Sequence, residues 1–295
     1  MKRFEAHRDR WALLAPIPAT AVGMALAASH GVRWTAYAPN LAALVLGAIV
    51  FHAAGRVERE RLIAWAPGIA ALGILATLVG PSIDGVHRWV SIAGVRLHMS
   101  FALAPWILFG LAAARGSAKK RGMLAVLAAQ IAHVVQPDAG QATALAAGAL
   151  PLLPDRSNAD RTLGRVLALL LGVLAAAAWL RVDPLPPVEH VERILNLASA
   201  NGPLWVTAVV VTGAGLLLPL VAMARRSSAT VVATSSYLLA SFAVTFFGRF
   251  PVPVFGAGAG PVLGWFALLA MAAGTRSRDA EPVPATTAIA SVRYD

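Results

Sequence analysis

Four short stretches hold most of the residues of this chain that could do chemistry. In the first, residues 80–94, His87-Arg88-Trp89 sets a guanidinium beside an indole. Arginine forks onto phosphate through paired hydrogen bonds, and an indole can pack on a sugar or a lipid chain. The same pair also serves as a tryptophan anchor with a snorkelling cation at a membrane surface. In the second, Gln136-Pro137-Asp138-Ala139-Gly140, a carboxylate lies between two apolar runs. A carboxylate at membrane depth is costly, which marks a functional candidate, and it is equally placed to cap the helix that follows. The third, residues 182–193, ends in Glu189-His190-Val191-Glu192-Arg193 after three prolines. Its carboxylates could act as acid or base, although the helix dipole alone favours acids in a first turn. The fourth, residues 247–261, is rich in glycine and proline and includes Arg249, Pro253 and Gly258. Glycines admit positive φ and let backbone approach a ligand closely. No strand precedes this stretch and no Lys-Ser/Thr follows, so it is not a nucleotide loop. A re-entrant turn sealed by small residues would read the same way.

Other chemistry is absent. There is no cysteine, which excludes disulfides, thiolate catalysis and iron–sulfur clusters. The seven histidines do not cluster in sequence, no zinc spacing or serine elbow is present, and no residue is assigned to a metal.

The elements that must carry these stretches are membrane helices. Of the 295 residues, 58% are hydrophobic and 13% charged, against about 45–50% and ~25% in soluble domains. Mean hydropathy is +0.68. This composition predicts an all-α polytopic membrane protein, a single integral domain over residues 1–295. Ten candidate spans are legible, at roughly 11–29, 36–54, 62–80, 99–114, 122–136, 139–153, 164–181, 203–224, 230–248 and 259–275. The fifth and sixth are short and could form one broken or re-entrant span. The formal charge of +11 sits in clusters between apolar runs, which fits loops at an anionic membrane rather than nucleic acid. With the N-terminus inside, 19 of the 25 Lys and Arg lie in inside segments. The other six are Arg33, Arg88, Arg96, Arg181, Arg193 and Arg249. Both termini are therefore expected in the cytoplasm, with segment 1–10 at one end and a disordered tail, 276–295, at the other. The four chemical stretches then face outside.

In this order and on this topology, the four stretches resemble the SEDS family, which includes FtsW, RodA and SpoVE-type proteins. Gly85-Val86-His87-Arg88-Trp89 followed by Gly94 is similar to the family's G-x-x-R-W loop before the fourth span. Gln136-Pro137-Asp138-Ala139-Gly140 is similar to its E/Q-P-D-x-G motif. Pro187-Val188-Glu189-His190-Val191-Glu192 falls where the family has P-E-A-H-T-D. Gly248, Pro251-Val252-Pro253 and Gly256-Ala257-Gly258 resemble its G-x-P-L-P-x-x-x-Y-G-G segment. The chain also departs from the pattern. Glu192 stands where the family has its catalytic Asp, one methylene longer. Phe101 and Ala104 replace the acid and the lysine of Q-P-S-E-x-x-K, and the long loop between spans seven and eight is missing.

The resemblance implies a ten-span glycosyltransferase of the bacterial plasma membrane that polymerises lipid II, an undecaprenyl-diphosphate-linked disaccharide-peptide, into peptidoglycan. It implies Glu192 as general base, His190 as a neighbour that tunes it, and Asp138 as support or a second acid. Arg88 would contact diphosphate and Trp89 would shape the lipid or sugar site. Gln136, Gly140, Arg193, Pro253 and Gly258 complete the implied binding residues. A divalent cation, Mg or Mn, would be compatible with a diphosphate leaving group. The implied partners are membrane lipids and a single-span transpeptidase, a class B penicillin-binding protein; nucleic acid is not among them. The departures favour a second reading, a catalytically degenerate member that binds the precursor or a transpeptidase as scaffold or regulator. A transporter is a third, resting only on ten spans and Asp138. The enzymatic reading expects Glu192, Arg88 and Asp138 to open onto one outside-facing cavity, and it loses if Phe101 and its neighbours fill that cavity.

Overall fold

The computed structural model describes residues 11–92, 94–153, 158–224 and 228–274. Segment 1–10, tail 276–295, Arg156 and Arg225-Arg226, which entered the charge count above, lie outside the described residues. Each of the ten apolar segments is helical: α1 (Pro16–Ser29), α2 (Ala38–Ala54), α3 (Arg59–Ala76), α4 (Met99–Ala113), α5 (Gly116–Val135), α6 (Ala139–Ala149), α7 (Asn158–Trp179), α10 (Pro203–Ala224), α11 (Ser228–Ala243) and α12 (Ala259–Gly274). Two shorter pieces, the turn α8 (Glu189–Glu192) and α9 (Ile194–Asn201), lie between α7 and α10. The stretch from residue 189 is thus two helical pieces broken at Arg193. Five of the segments are long and apolar enough to cross a bilayer by themselves, and α1, α4 and α12 are shorter apolar helices.

The bundle is arranged for lipid. Leu46, Ile69, Leu72, Leu169, Val210 and Leu218 are exposed, while Asn40, Gln130, His133, Gln136, Asp138 and Gln141 are buried. In hydrocarbon no water satisfies a polar group, so such groups turn inward and pair. Gln130 donates to the carbonyls of Ala142 (3.0 Å) and Leu171 (3.2 Å), and the Tyr237 hydroxyl donates to Gln141 Oε1 (2.8 Å). α5 and α6 are separate helices that break at Gln136-Pro137-Asp138 and pack against each other.

At the centre α12 crosses α4 closely. A Cβ on Gly264 would lie 2.0 Å from the Phe101 carbonyl oxygen, so only glycine permits this approach. The one sheet among the described residues is an antiparallel hairpin, β1 (Trp89–Ile92) and β2 (Val95–His98), read from the sequence only as a loop. Its register pairs Trp89 with His98 and Ser91 with Arg96. Residues directly opposite or two apart share a face, so Trp89, Arg96 and His98 project from one side of the ribbon.

Candidate functional site

The hairpin, the proline-rich run after α7, the turn α8 and the segment before α12 meet at one end of the bundle. Their junction is built from backbone. Val252 N–H donates to the Val191 carbonyl (3.0 Å) and Ala257 N–H to the His190 carbonyl (2.9 Å). Asn40 donates to the Gly256 carbonyl (3.0 Å) and accepts from the Gly258 N–H (2.6 Å). The Tyr37 hydroxyl donates to the Phe255 carbonyl (3.0 Å). Gly258 has φ +151°, which a side chain would strain. Tyr37 and Asn40 were not singled out in the sequence, because nothing local marks them as the clamp on a segment more than 200 residues away.

Between these elements lies a cavity of about 400 Å³. Arg88, Trp89, Arg96 and His98 reach it from the hairpin side, Asp183 and Glu192 from the α7–α9 connection, and Arg249 and Gly258 from the segment before α12. A second, more polar cavity of about 550 Å³ adjoins it, lined by Arg193, Asn196, Ser199 and Thr245 among others. Glu192 and Arg249 line both. Glu192 is half-buried and accepts a hydrogen bond from the Val188 N–H. Burial pushes its carboxyl up to about 7, against the pull of that N–H and of the Arg88 charge. A carboxylate poised near neutrality suits a general base.

The other nominated residues divide. Arg88 lines the cavity, but it is only 4% exposed and its guanidinium is engaged. It donates to Asp183 Oδ2 (2.9 Å), to the Gln136 carbonyl (3.1 Å) and to the Pro137 carbonyl. It therefore ties the hairpin to the α5–α6 break and to the run after α7. Asp138, 2% exposed, is not on the cavity wall. It caps α6 through the Gln141 N–H (3.1 Å), and its other oxygen lies 3.4 Å from His98 Nε2. Gln136 is buried and donates to Thr77 and to the Ile74 carbonyl (3.3 Å). A Cβ on Gly140 would meet the Phe250 ring at 2.6 Å, so this glycine is a packing site. Pro253 is buried off the wall, and its carbonyl accepts from Phe255 N–H (2.8 Å). His190 supplies its carbonyl rather than its ring to the junction, and burial holds that ring below its usual pKa. Arg193 faces the second cavity and pairs with Glu189 at 3.1 Å.

Thus Glu192, Arg88, Trp89 and Gly258 come together, while Asp138, Gln136, Gly140, Pro253 and His190 support the walls. Phe101 does not fill the cavity; it is buried edge-on to His98. His98, Arg96, Arg249 and Asp183 were missed as site residues. The alternation of Trp89, Arg96 and His98 about a Gly94 turn was the signal that could have found the first two. Among the described residues no three His, Asp or Glu stand together as a ready metal site.

No family model matches the sequence, and the curated proteins include none that matches it. Solved structures do match. The rod shape determining protein RodA of Thermus thermophilus superposes with a TM-score of 0.65 at 19% identity, over 89% of this chain and 94% of that one. A point mutant of that protein gives 0.64 at 18% identity, over 89% and 95%. A chain of a peptidoglycan synthase complex, described for its coordination of polymerization and crosslinking, gives 0.64 at 20% identity, over 91% and 98%. The chain has the SEDS-like, RodA-type fold across nearly its whole length.

Proposed function

We propose that this protein is a SEDS-type glycosyltransferase that joins lipid-linked disaccharides into glycan strands at the bacterial plasma membrane. The observation that carries the reading is Glu192, a carboxylate poised near neutrality in the wall shared by two adjoining cavities. A polymerase must hold two lipid-linked sugars and place a base between them. Glu192 takes the proton of the acceptor C4 hydroxyl, and the resulting oxygen attacks the donor's anomeric carbon. The bond from that carbon to phosphate breaks, and undecaprenyl diphosphate leaves with the electron pair. Arg96 and Arg249 offer positive charge where negative charge develops on the leaving group.

Asp84 and Glu192 are the cavity carboxylates not engaged by Arg88. Magnesium is commonly held by one or two carboxylates plus substrate phosphates, so Asp84 with a bound diphosphate would suit Mg or Mn. When bound, such an ion would neutralise leaving-group charge. The similarity to a chain of a synthase complex that coordinates polymerization and crosslinking supports a transpeptidase as partner.

The test is polymerisation of labelled lipid II by purified protein, with and without a candidate transpeptidase and a divalent metal. Glycan strands from the wild type and a loss of about 10²–10⁴-fold in E192Q are expected. Strands from both would unseat Glu192. None from the wild type, where a typical SEDS protein is active, would favour the second reading, a precursor-binding scaffold. The burial of Phe101 and Ala104, where the family has an acid and a lysine, is what supports that alternative.

A further inference from the structure

Glu192 sits on a turn that cannot hold itself. α8 has four residues and ends at Arg193, before α9 begins. A helix this short gains too little from its own hydrogen bonds to fix a side chain in space. Segment 252–258 fixes it instead. The carbonyls of the two residues before Glu192 both accept from that segment, Val191 from the Val252 N–H (3.0 Å) and His190 from the Ala257 N–H (2.9 Å). Gly256 closes on the same turn, since a Cβ there would lie 2.4 Å from the Val191 carbonyl oxygen. The segment is itself strained. Val254, a β-branched residue, has φ +68°, a conformation that persists only where its surroundings over-determine it. Those surroundings are α1 and the start of α2. The Val254 carbonyl accepts from Thr20 Oγ1 (3.5 Å) and from Asn40 Nδ2 (3.4 Å). Asn40 Nδ2 also donates to the Gly256 carbonyl (3.0 Å), and Asn40 Oδ1 accepts from the Gly258 N–H (2.6 Å). Both polar atoms of that side chain are thus spent on residues 254–258. The Tyr37 hydroxyl, one residue before α2, lies 3.0 Å from the Phe255 carbonyl and 3.3 Å from the His190 carbonyl. It therefore reaches the α8 turn directly. Both residues are fully buried, and neither lines either cavity. A buried amide and hydroxyl in a membrane bundle are costly unless paired. Here all of their pairing supports one turn.

We propose that the start of α2 is the mount for the base: Tyr37 and Asn40 are positioning residues that set the Glu192 carboxylate, through segment 252–258 and the carbonyls of His190 and Val191, at the wall shared by the two cavities. The role rests on the glycosyltransferase reading of Glu192. Each residue acts through backbone, not by reaching the cavity. A catalytic group misplaced by about 1 Å can lose about 10²-fold in rate. The pair therefore governs turnover rather than the binding of the lipid-linked sugars.

The first readout needs no turnover. Full-length protein in nanodiscs is treated with dicyclohexylcarbodiimide, which modifies protonated carboxyls. Labelling at Glu192 is followed against pH by peptide mass spectrometry. The wild-type midpoint should lie near 7. In Y37F and N40L the turn loosens and water reaches the carboxyl, so the midpoint should fall towards 4.5. Y237F and Q130M are the controls. Tyr237 and Gln130 are also buried, and they donate to Gln141 and to the Ala142 and Leu171 carbonyls rather than to the α8 support. Their midpoints should stay at the wild-type value. The charged residues that share the two cavities with Glu192, namely Asp84, Arg88, Arg96, Asp183, Arg193 and Arg249, are unchanged in all four variants. The second readout is polymerisation of lipid II. Here kcat in Y37F should fall about 10–10²-fold with KM nearly unchanged. Y37F removes a single oxygen, so it decides the matter if N40L fails to fold. Unshifted midpoints in Y37F and N40L would overturn the mount, and so would equal shifts in Y237F and Q130M. A shift confined to Y37F and N40L in a protein that makes no glycan would leave the mount standing and remove the enzymatic reading. An active protein whose kcat is unchanged in both variants would overturn the mount alone.

Discussion

At the scale of single residues, the site separates groups by what else they must do. Glu192 is the one nominated carboxylate at a cavity wall with its acidity moved towards neutrality, and burial is the cause. A base works only when ionised. Because this carboxyl titrates near 7 rather than near 4.5, polymerisation should fall about tenfold per pH unit below 7 and level off above it. A pH–rate profile at saturating lipid II checks this, and a plateau extending down to pH 5 would contradict it. Asp138 has a different task. It caps α6 and is the acidic partner of His98, so D138A should lose about 1 kcal/mol for the cap. A further cost of about 1–3 kcal/mol should follow from leaving buried polar atoms unpaired. Thermal unfolding in detergent measures that loss directly.

At the scale of elements, stability lies in close crossings and in the ties between loops. Gly264 of α12 touches the α4 backbone at Phe101, whereas a Cβ on Gly172 of α7 would meet nothing within 4 Å. G264A should therefore push α12 off α4 and cost about 1–3 kcal/mol. G172A should be neutral or stabilising by up to about 1 kcal/mol. Paired melting curves test the contrast, and equal effects would mean that the α4–α12 approach is not tight. The Arg88–Asp183 pair joins two loops distant in sequence, with Arg88 nearly fully buried. R88A strands Asp183 and two carbonyls and should cost about 3–5 kcal/mol. Proteolysis of residues 180–193 should accelerate with it.

At the scale of the whole molecule, the orientation is a prediction of its own. The chain has no cysteine, so single cysteines report sidedness without background. R33C and V182C should react with a membrane-impermeant maleimide on intact spheroplasts. R56C and R115C should react only after permeabilisation, and the reverse pattern would invert the topology.

The sequence by itself determined the membrane class, the ten helical segments and the loops that gather at one end. Hydropathy and the Lys/Arg bias are local sums that a single chain displays openly. It also marked Glu192, Arg88, Trp89 and Gly258, which the structure brings to one cavity. It read the hairpin as a loop, because four-residue strands carry too few alternations to register. Only the tertiary structure decided which polar groups are free and which are committed. Arg88 meets Asp183 and the Gln136 carbonyl, Asp138 meets His98, and Asn40 meets Gly256 and Gly258, all across tens to hundreds of residues. No local pattern encodes such pairings. A buried charge must find a partner wherever the packing of helices delivers one, and that packing is a property of the whole bundle.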